Sequence, residues 1–265
     1  MDLQATKMGR GPTLLILHGL YGSGDNWFNI AKQLAEKFTV YLVDQRNHGK
    51  SPKAPVHNYT EMANDLHEFI TKNELNELNI IGHSMGGKTA MTYTLQHGSY
   101  VHKLISVDIS PYSYEGLDSF KSQYSFHQSI VERFETAPIE TTTSRKSVED
   151  YFAEKITDTN IRRFLLKNLT RDSQGAFEWK LNVEAISANL LNVIDAAPPI
   201  KMGAQSFVDC LFIRGGKSPY ITNEDMDGIR DIFSNARFIT YDKAGHWLHA
   251  EEPERFVKDA LDFLT

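Results

Sequence analysis

A serine with glycine two positions away on either side, Gly82-His83-Ser84-Met85-Gly86, follows the apolar run Asn79-Ile80-Ile81 and precedes a stretch of helical character. In a strand–turn–helix corner that spacing has a steric cause. The serine takes a strained backbone conformation, and the flanking positions must be nearly free of side chain for strand and helix to pass closely. The hydroxyl is thereby exposed. The helix that follows points its N-terminus at the same spot, which leaves the Met85 amide free to bind developing negative charge. A serine hydroxyl is a poor nucleophile at neutral pH, so it needs a base within hydrogen-bond reach and a third group to orient that base.

The same residues satisfy a rival pattern. Gly82 to Thr89 also spells Gly-x-x-x-x-Gly-Lys-Thr, the phosphate-cradling P-loop, and the apolar run Leu104 to Asp108 would then end in a magnesium-binding Asp. One turn cannot be both: an elbow thrusts one side chain outward, whereas a P-loop turns several amides inward. Neither motif decides alone, because Gly-x-Ser-x-Gly arises by chance in roughly one chain in ten of this size.

The elements that must position these residues alternate. Apolar runs at Thr13–Leu17, Thr39–Val43, Asn79–Gly82 and Lys103–Asp108 suit strands covered on both faces. Helices are predicted between them: one from about Trp27 with Asp25 or Asn26 as cap, one after the Asn58/Glu61 capping box, and one after Ser84. From Tyr112 to about Ser206 no strand run is found, only helical periodicity. Leu117, Phe120, Tyr124, Val131 and Phe134 form one stripe, and Ser147 with Asp150 opens another helix. Ala197-Pro198-Pro199 closes this stretch, since consecutive prolines cannot continue a helix. Strands resume at Asp209–Arg214 and Arg237–Tyr241, with a last helix from Pro253. The pattern predicts an α/β fold, a doubly wound and mostly parallel sheet formed by residues 1–111 and 207–265, with an all-helical lid at 112–206 inserted before the last two strands.

Ligands of open parallel sheets bind at the carboxyl ends of the strands. Four suggestive stretches fall there: His18-Gly19-Leu20, the loop Asp44 to Ser51, Ser84, and Gly245-His246. Among the ten histidines, His246 is the best base, because it lies in a Gly-His turn after the last strand. His249 could pair with it as a metal site, but no further ligands join them at zinc spacing; a helix-flank position suits it better.

Taken together, His18–Ser23, Asp44–Gly49, Gly82–Gly87, Arg214–Tyr220 and Ala244–Trp247 resemble the α/β-hydrolase superfamily, and more narrowly its YbfF-type esterases. The resemblance spans essentially the whole chain; only the inserted stretch lacks a distinctive match. It disfavours the P-loop, since an NTPase has no use for the histidine turn. The order serine, acid, histidine also matches the superfamily. The acid is a departure. In most members it follows the strand after the lid, but here that loop carries Gly216, Lys217 and Ser218, and a serine cannot stabilise an imidazolium as a carboxylate does. Asp108, at the end of the adjacent strand, can reach His246 instead, and the YbfF-type resemblance implies that relocation. The alternative is that Asp108 only braces the turn before Pro111. By the same resemblance the amides of Leu20 and Met85 form an oxyanion hole. Tyr21, His83, Tyr112 and Trp247 are candidate pocket residues, and Tyr112, Tyr114, Phe120 and Tyr124 candidates to roof it. His18, Asp44, Arg46, Asn47 and His48 read as loop-bracing groups.

The implied activity is cofactor-independent hydrolysis of small-molecule esters or acyl thioesters with small to medium acyl groups, through an acyl-enzyme, with no metal. Carbon–carbon hydrolysis, a lyase or perhydrolase reaction, and a ligand-binding receptor with a near-idle triad use the same residues. A chain of 265 residues with 41% hydrophobic and 23% charged residues builds an ordinary core, and a net charge of −6 without a basic run argues against nucleic acid. No apolar run approaches membrane-spanning length and the first residues do not resemble a signal peptide, so a cytoplasmic location is expected. The single cysteine, Cys210, falls in an apolar run and is expected to be buried in a strand.

Overall fold

The computed structural model describes residues 1–114 and 120–265, apart from the side chains of Phe120 and Lys201. In chain order it begins with β1 (Ala5–Met8), β2 (Thr13–Leu17), a short 3-10 turn (Gly24–Trp27), α1 (Phe28–Leu34) and β3 (Thr39–Val43). Next come α2 (Tyr59–Lys72), β4 (Leu78–His83), α3 (Met85–His97) and β5 (Val101–Val107). The inserted segment contributes α4 (Phe120–Thr136), α5 (Arg145–Ala153), α6 (Thr159–Leu165), β6 (Leu169–Arg171), β7 (Phe177–Trp179), α7 (Val183–Ala188) and α8 (Leu190–Ile194). The chain ends with β8 (Asp209–Gly215), α9 (Asn223–Ile232), β9 (Ala236–Tyr241), α10 (Leu248–Glu251) and α11 (Pro253–Leu264).

Seven strands form one sheet in the order β1-β3-β2-β4-β5-β8-β9. Only β1, on the edge, runs antiparallel to its neighbour. Period-two alternation divides each apolar run between the two faces. Leu14 and Ile16 pack with Ala31 and Leu34 of α1 and Phe256 and Ala260 of α11 on one side. Leu15 and Leu17 pack with Leu66 and Ile70 of α2 and Met91 and Tyr93 of α3 on the other. Cys210 lies fully buried in β8. Because β2, β3, β4, β5, β8 and β9 are parallel, their carboxyl ends share one edge of the sheet, and the register aligns His83 with Val107 and Val107 with Ile213. The residues that follow, Ser84 and Asp108, therefore emerge side by side.

Two helix starts use chemistry finer than the sequence pattern. Ser23 and Asn26 cap the 3-10 turn reciprocally, so α1 begins only at Phe28. Asn58 caps α2 by accepting the Glu61 amide at 2.9 Å, but the Glu61 carboxylate turns to Arg46 instead of closing a capping box. In the insertion, Ser144 caps α5.

The insertion is not all-helical. β6 and β7 form an antiparallel hairpin, its turn held by Asp172, which accepts the amides of Gln174 and Ala176, and by Gly175 at φ 87°. Three-residue strands are too short to impose a readable period. Leu117, one member of the predicted α4 stripe, lies outside the described residues. Phe134, Phe152 and Trp179 stack edge to face at the centre of the segment. The buried apolar cluster then runs on unbroken into the face of the sheet bearing α2 and α3. Among the described residues no helix is long and apolar enough to cross a membrane.

Candidate active site

Ser84 stands between β4 and α3 at φ 53° and ψ −120°, outside the ordinary range for a residue with a side chain. A Cβ on Gly82 would collide with the Gly86 carbonyl, and one on Gly86 with the carbonyls of Leu17 and His18. The two glycines are thus required by backbone passing against backbone. The corner is held by the Ser84 amide donating to the Val107 carbonyl at 3.1 Å. Lys88, the lysine of the rival P-loop pattern, is fully buried, and its Nζ donates to the carbonyls of Tyr112 (2.8 Å), Ile194 (3.2 Å) and Asp195 (2.5 Å).

Asp108 ends β5 with φ 50°, a left-handed conformation that turns its fully buried carboxylate towards β8 and the loop after β9. Its Oδ1 accepts the Gly215 amide at 2.8 Å, and its Oδ2 accepts both the Ser218 hydroxyl and His246 Nδ1, the latter at 2.7 Å. Since a carboxylate oxygen accepts, the proton of the His246 ring sits on Nδ1 and Nε2 is left for other work. Neither the end of β8 nor the start of the loop after it has space for an acid: side chains at Gly215 or Gly216 would strike the backbone of Gly245 or Asp242. Ser218, in the position where a carboxylate was expected, supports Asp108 instead.

The loop after β2 is braced by histidines whose tautomers follow from their partners. His18 Nε2 accepts the Gln45 amide at 3.0 Å, which makes Nδ1 the donor to the Gly19 carbonyl at 2.9 Å. His48 Nε2 likewise accepts the Tyr21 amide at 3.2 Å while its Nδ1 donates to the Arg46 carbonyl at 2.9 Å. Burial holds both rings below the usual histidine range, and His48 well below it, so both remain neutral acceptors. The loop conformation also depends on Tyr21 at φ 62°, whose carbonyl accepts Asn168 Nδ2 at 2.8 Å. Asp44 accepts the amides of Gly24 and Lys50, both at 2.8 Å, and Arg46 forms a buried pair with Asp65 at 2.6 Å. Thus held, the Leu20 amide and the Met85 amide both lack a protein acceptor among the described residues.

A cavity of about 180 Å³ opens over this site, lined by Ser84, His246, Leu20, Tyr21, His83 and Trp247. His83 Nε2 donates to the His246 carbonyl at 2.9 Å, and burial keeps that ring neutral, well below the usual range. Among the described contacts no hydrogen bond joins Ser84 to His246; free enzymes commonly close that contact only with substrate bound. Tyr112 is absent from the lining. Its ring packs against Gly228 of α9, and its carbonyl serves Lys88. Tyr124 borders a separate surface hollow, and the Phe120 side chain lies outside the described residues; Tyr114 lines a smaller cavity of about 30 Å³ that Ser84 also borders. The large cavity is walled instead by Trp27, Phe126, His127, Ile130, Phe164 and Tyr220. None of these was singled out as a pocket residue from the sequence; a signal existed for Ile130 and His127, which lie one and two turns before Phe134 on α4. His249 belongs to α10, where it stacks on Trp27 with ring centroids 4.1 Å apart. Among the described residues no three metal-ligating side chains converge.

The family model for the alpha/beta hydrolase fold matches residues 12–253. An sn-1-specific diacylglycerol lipase, ABHD11, of Xenopus tropicalis is 35% identical over 96% of this chain and 78% of its own. The esterase YbfF of Escherichia coli is 30% identical over 95% of this chain and 92% of its own. A solved marine microorganism esterase superposes with a TM-score of 0.94 at 42% identity, covering 99% of both chains. With its parallel sheet, its serine corner and these relatives along nearly its whole length, the chain belongs to the α/β-hydrolase family and to the esterases within it.

Proposed function

We propose that this chain hydrolyses carboxylic esters and acyl thioesters through an acyl-serine intermediate, with Ser84, His246 and Asp108 as its triad. The observation that carries the reading is the buried Asp108 carboxylate 2.7 Å from His246 Nδ1, on a ring that shares a cavity with the strained Ser84. Ser84 Oγ attacks the acyl carbon as His246 Nε2 takes its proton, and the oxyanion accepts the amides of Leu20 and Met85. As the carbon–oxygen or carbon–sulfur bond breaks, the same Nε2 returns the proton to the leaving group. Water, deprotonated by His246, then attacks the acyl carbon and releases the acid, restoring Ser84. Asp108 keeps the ring in the tautomer this requires and stabilises the imidazolium. Residues 112–206 act as a lid that roofs the acyl pocket and limits bulk solvent there, while leaving room for the water that hydrolyses the acyl-enzyme.

A fluorophosphonate tests the reading without assuming a substrate. Intact mass and peptide mapping are expected to find one adduct, on Ser84, that His246→Ala abolishes. A folded protein that forms no adduct would refute the proposed role of Ser84.

A further inference from the structure

We infer that Ser84 divides a narrow acyl pocket from a wide leaving-group pocket, which makes the substrate class esters of short acyl groups, about two to four carbons, with bulky apolar alcohols. The inference rests on the serine-hydrolase reading above. Ser84, Leu20, His127 and Tyr220 line both cavities. The others divide by chemistry: His246 opens only into the larger cavity, and Met85, whose amide is an oxyanion donor, only into the smaller. The departing oxygen must collect its proton from His246, so the leaving group occupies the larger side. The acyl chain, on the other substituent of the same carbon, is directed to the smaller.

Volume then sets chain length. One water-sized sphere needs about 10–15 Å³ of such space, so the inner cavity of about 30 Å³ admits two or three atoms beyond the acyl carbon. Its walls cannot easily recede. Tyr59 donates its hydroxyl to the Val193 carbonyl at 2.5 Å, and Tyr114 donates to the Tyr220 carbonyl at 3.0 Å while accepting the Ser110 amide at 3.1 Å. Two aromatic walls are therefore pinned at their tips. The outer cavity, at about 180 Å³, has room for a ring system, and Phe126, Ile130, Phe164 and Trp247 offer it apolar surface.

The test is two matched ester series with the intact protein. With 4-nitrophenol as the fixed alcohol, kcat/KM is expected to fall at least tenfold from butyrate to octanoate. With acetate as the fixed acyl group, it is expected to hold or rise from ethyl through benzyl to naphthylmethyl alcohol. Val193→Ala, which shortens one wall of the inner cavity, should raise the octanoate-to-acetate ratio at least fivefold. Tolerance of long acyl chains together with rejection of bulky alcohols would overturn the pocket assignment alone. A Ser84 adduct with fluorophosphonate but no turnover in either series would overturn the substrate class, and absence of both adduct and turnover would remove the serine-hydrolase reading beneath it.

Discussion

At the scale of single residues, Asp108 is the group on which most depends. Its two oxygens receive three donors, and the one that orients His246 also receives Ser218. Asp108→Asn keeps the shape but presents an amide to Nδ1, favouring the wrong ring tautomer. In a serine protease the equivalent change costs about four orders of magnitude in turnover, and a similar loss of kcat on a short ester is expected here. Ser218→Ala removes one supporting hydrogen bond from a carboxylate that keeps the other two, so its loss should stay below about tenfold, in keeping with roughly 1 kcal/mol for a hydrogen bond. If Ser218→Ala proved the more damaging change, Asp108 would not be the orienting acid. Asp108 was legible as a carboxylate at a strand end, but the sequence alone left open whether it braced a turn. The left-handed φ that aims it across to β8 arises only when β5 is paired between β4 and β8.

At the scale of elements, the corner from β4 to α3 is joined to the insertion by one side chain. Lys88 projects from α3 to carbonyls at both ends of the inserted segment, Tyr112 at its start and Ile194 and Asp195 near its close, with the Tyr114 ring 4.5 Å from its ammonium. Hydrogen bonds to charged groups contribute about 1.5–3 kcal/mol each, with losses that do not add fully. Lys88→Met is expected to destabilise the protein to urea by about 3 kcal/mol and to speed proteolytic cleavage near Ala196–Pro199. Unchanged cleavage there would show that Lys88 does not fasten the segment. The strands and helices of the sheet were readable because each is an apolar run or a capped amphipathic stretch long enough to show its period. The hairpin of β6 and β7 was not, being three residues a side, and edge strand β1 exposes most of its side chains.

For the whole molecule, acid is the informative stress. Burial is the main cause that lowers His57 and His249 to about 3 and His127 to about 4. Unfolded, these rings take up protons near pH 6.5, while the native protein refuses them until far lower pH. Between those limits the unfolded state binds more protons, so stability is full above about pH 7 and declines as pH falls towards 4. The slope is up to about 1.4 kcal/mol per pH unit for each ring. Urea midpoints at pH 7, 6, 5 and 4 should fall accordingly, and His249→Phe, which keeps a ring on Trp27, should flatten the slope. A midpoint constant from pH 7 to 5 would contradict neutral burial of these rings.

By itself the sequence determined what is local: the order of the six parallel strands and of the helices between them, the parallel sheet they imply, and the glycine-flanked corner that exposes Ser84. It also placed His246 in a turn at the carboxyl edge of the sheet, because strand ends of a parallel sheet share that edge whatever the details of packing. Tertiary structure decided which acid meets His246, which side chains wall the two cavities, and where Lys88 is spent. Asp108 and His246 are separated by 138 positions, and Phe126, Phe164 and Tyr220 reach the site from elements with no common period. Such contacts depend on how the insertion docks across the sheet edge, a matter of shape and burial between distant segments that no local pattern records.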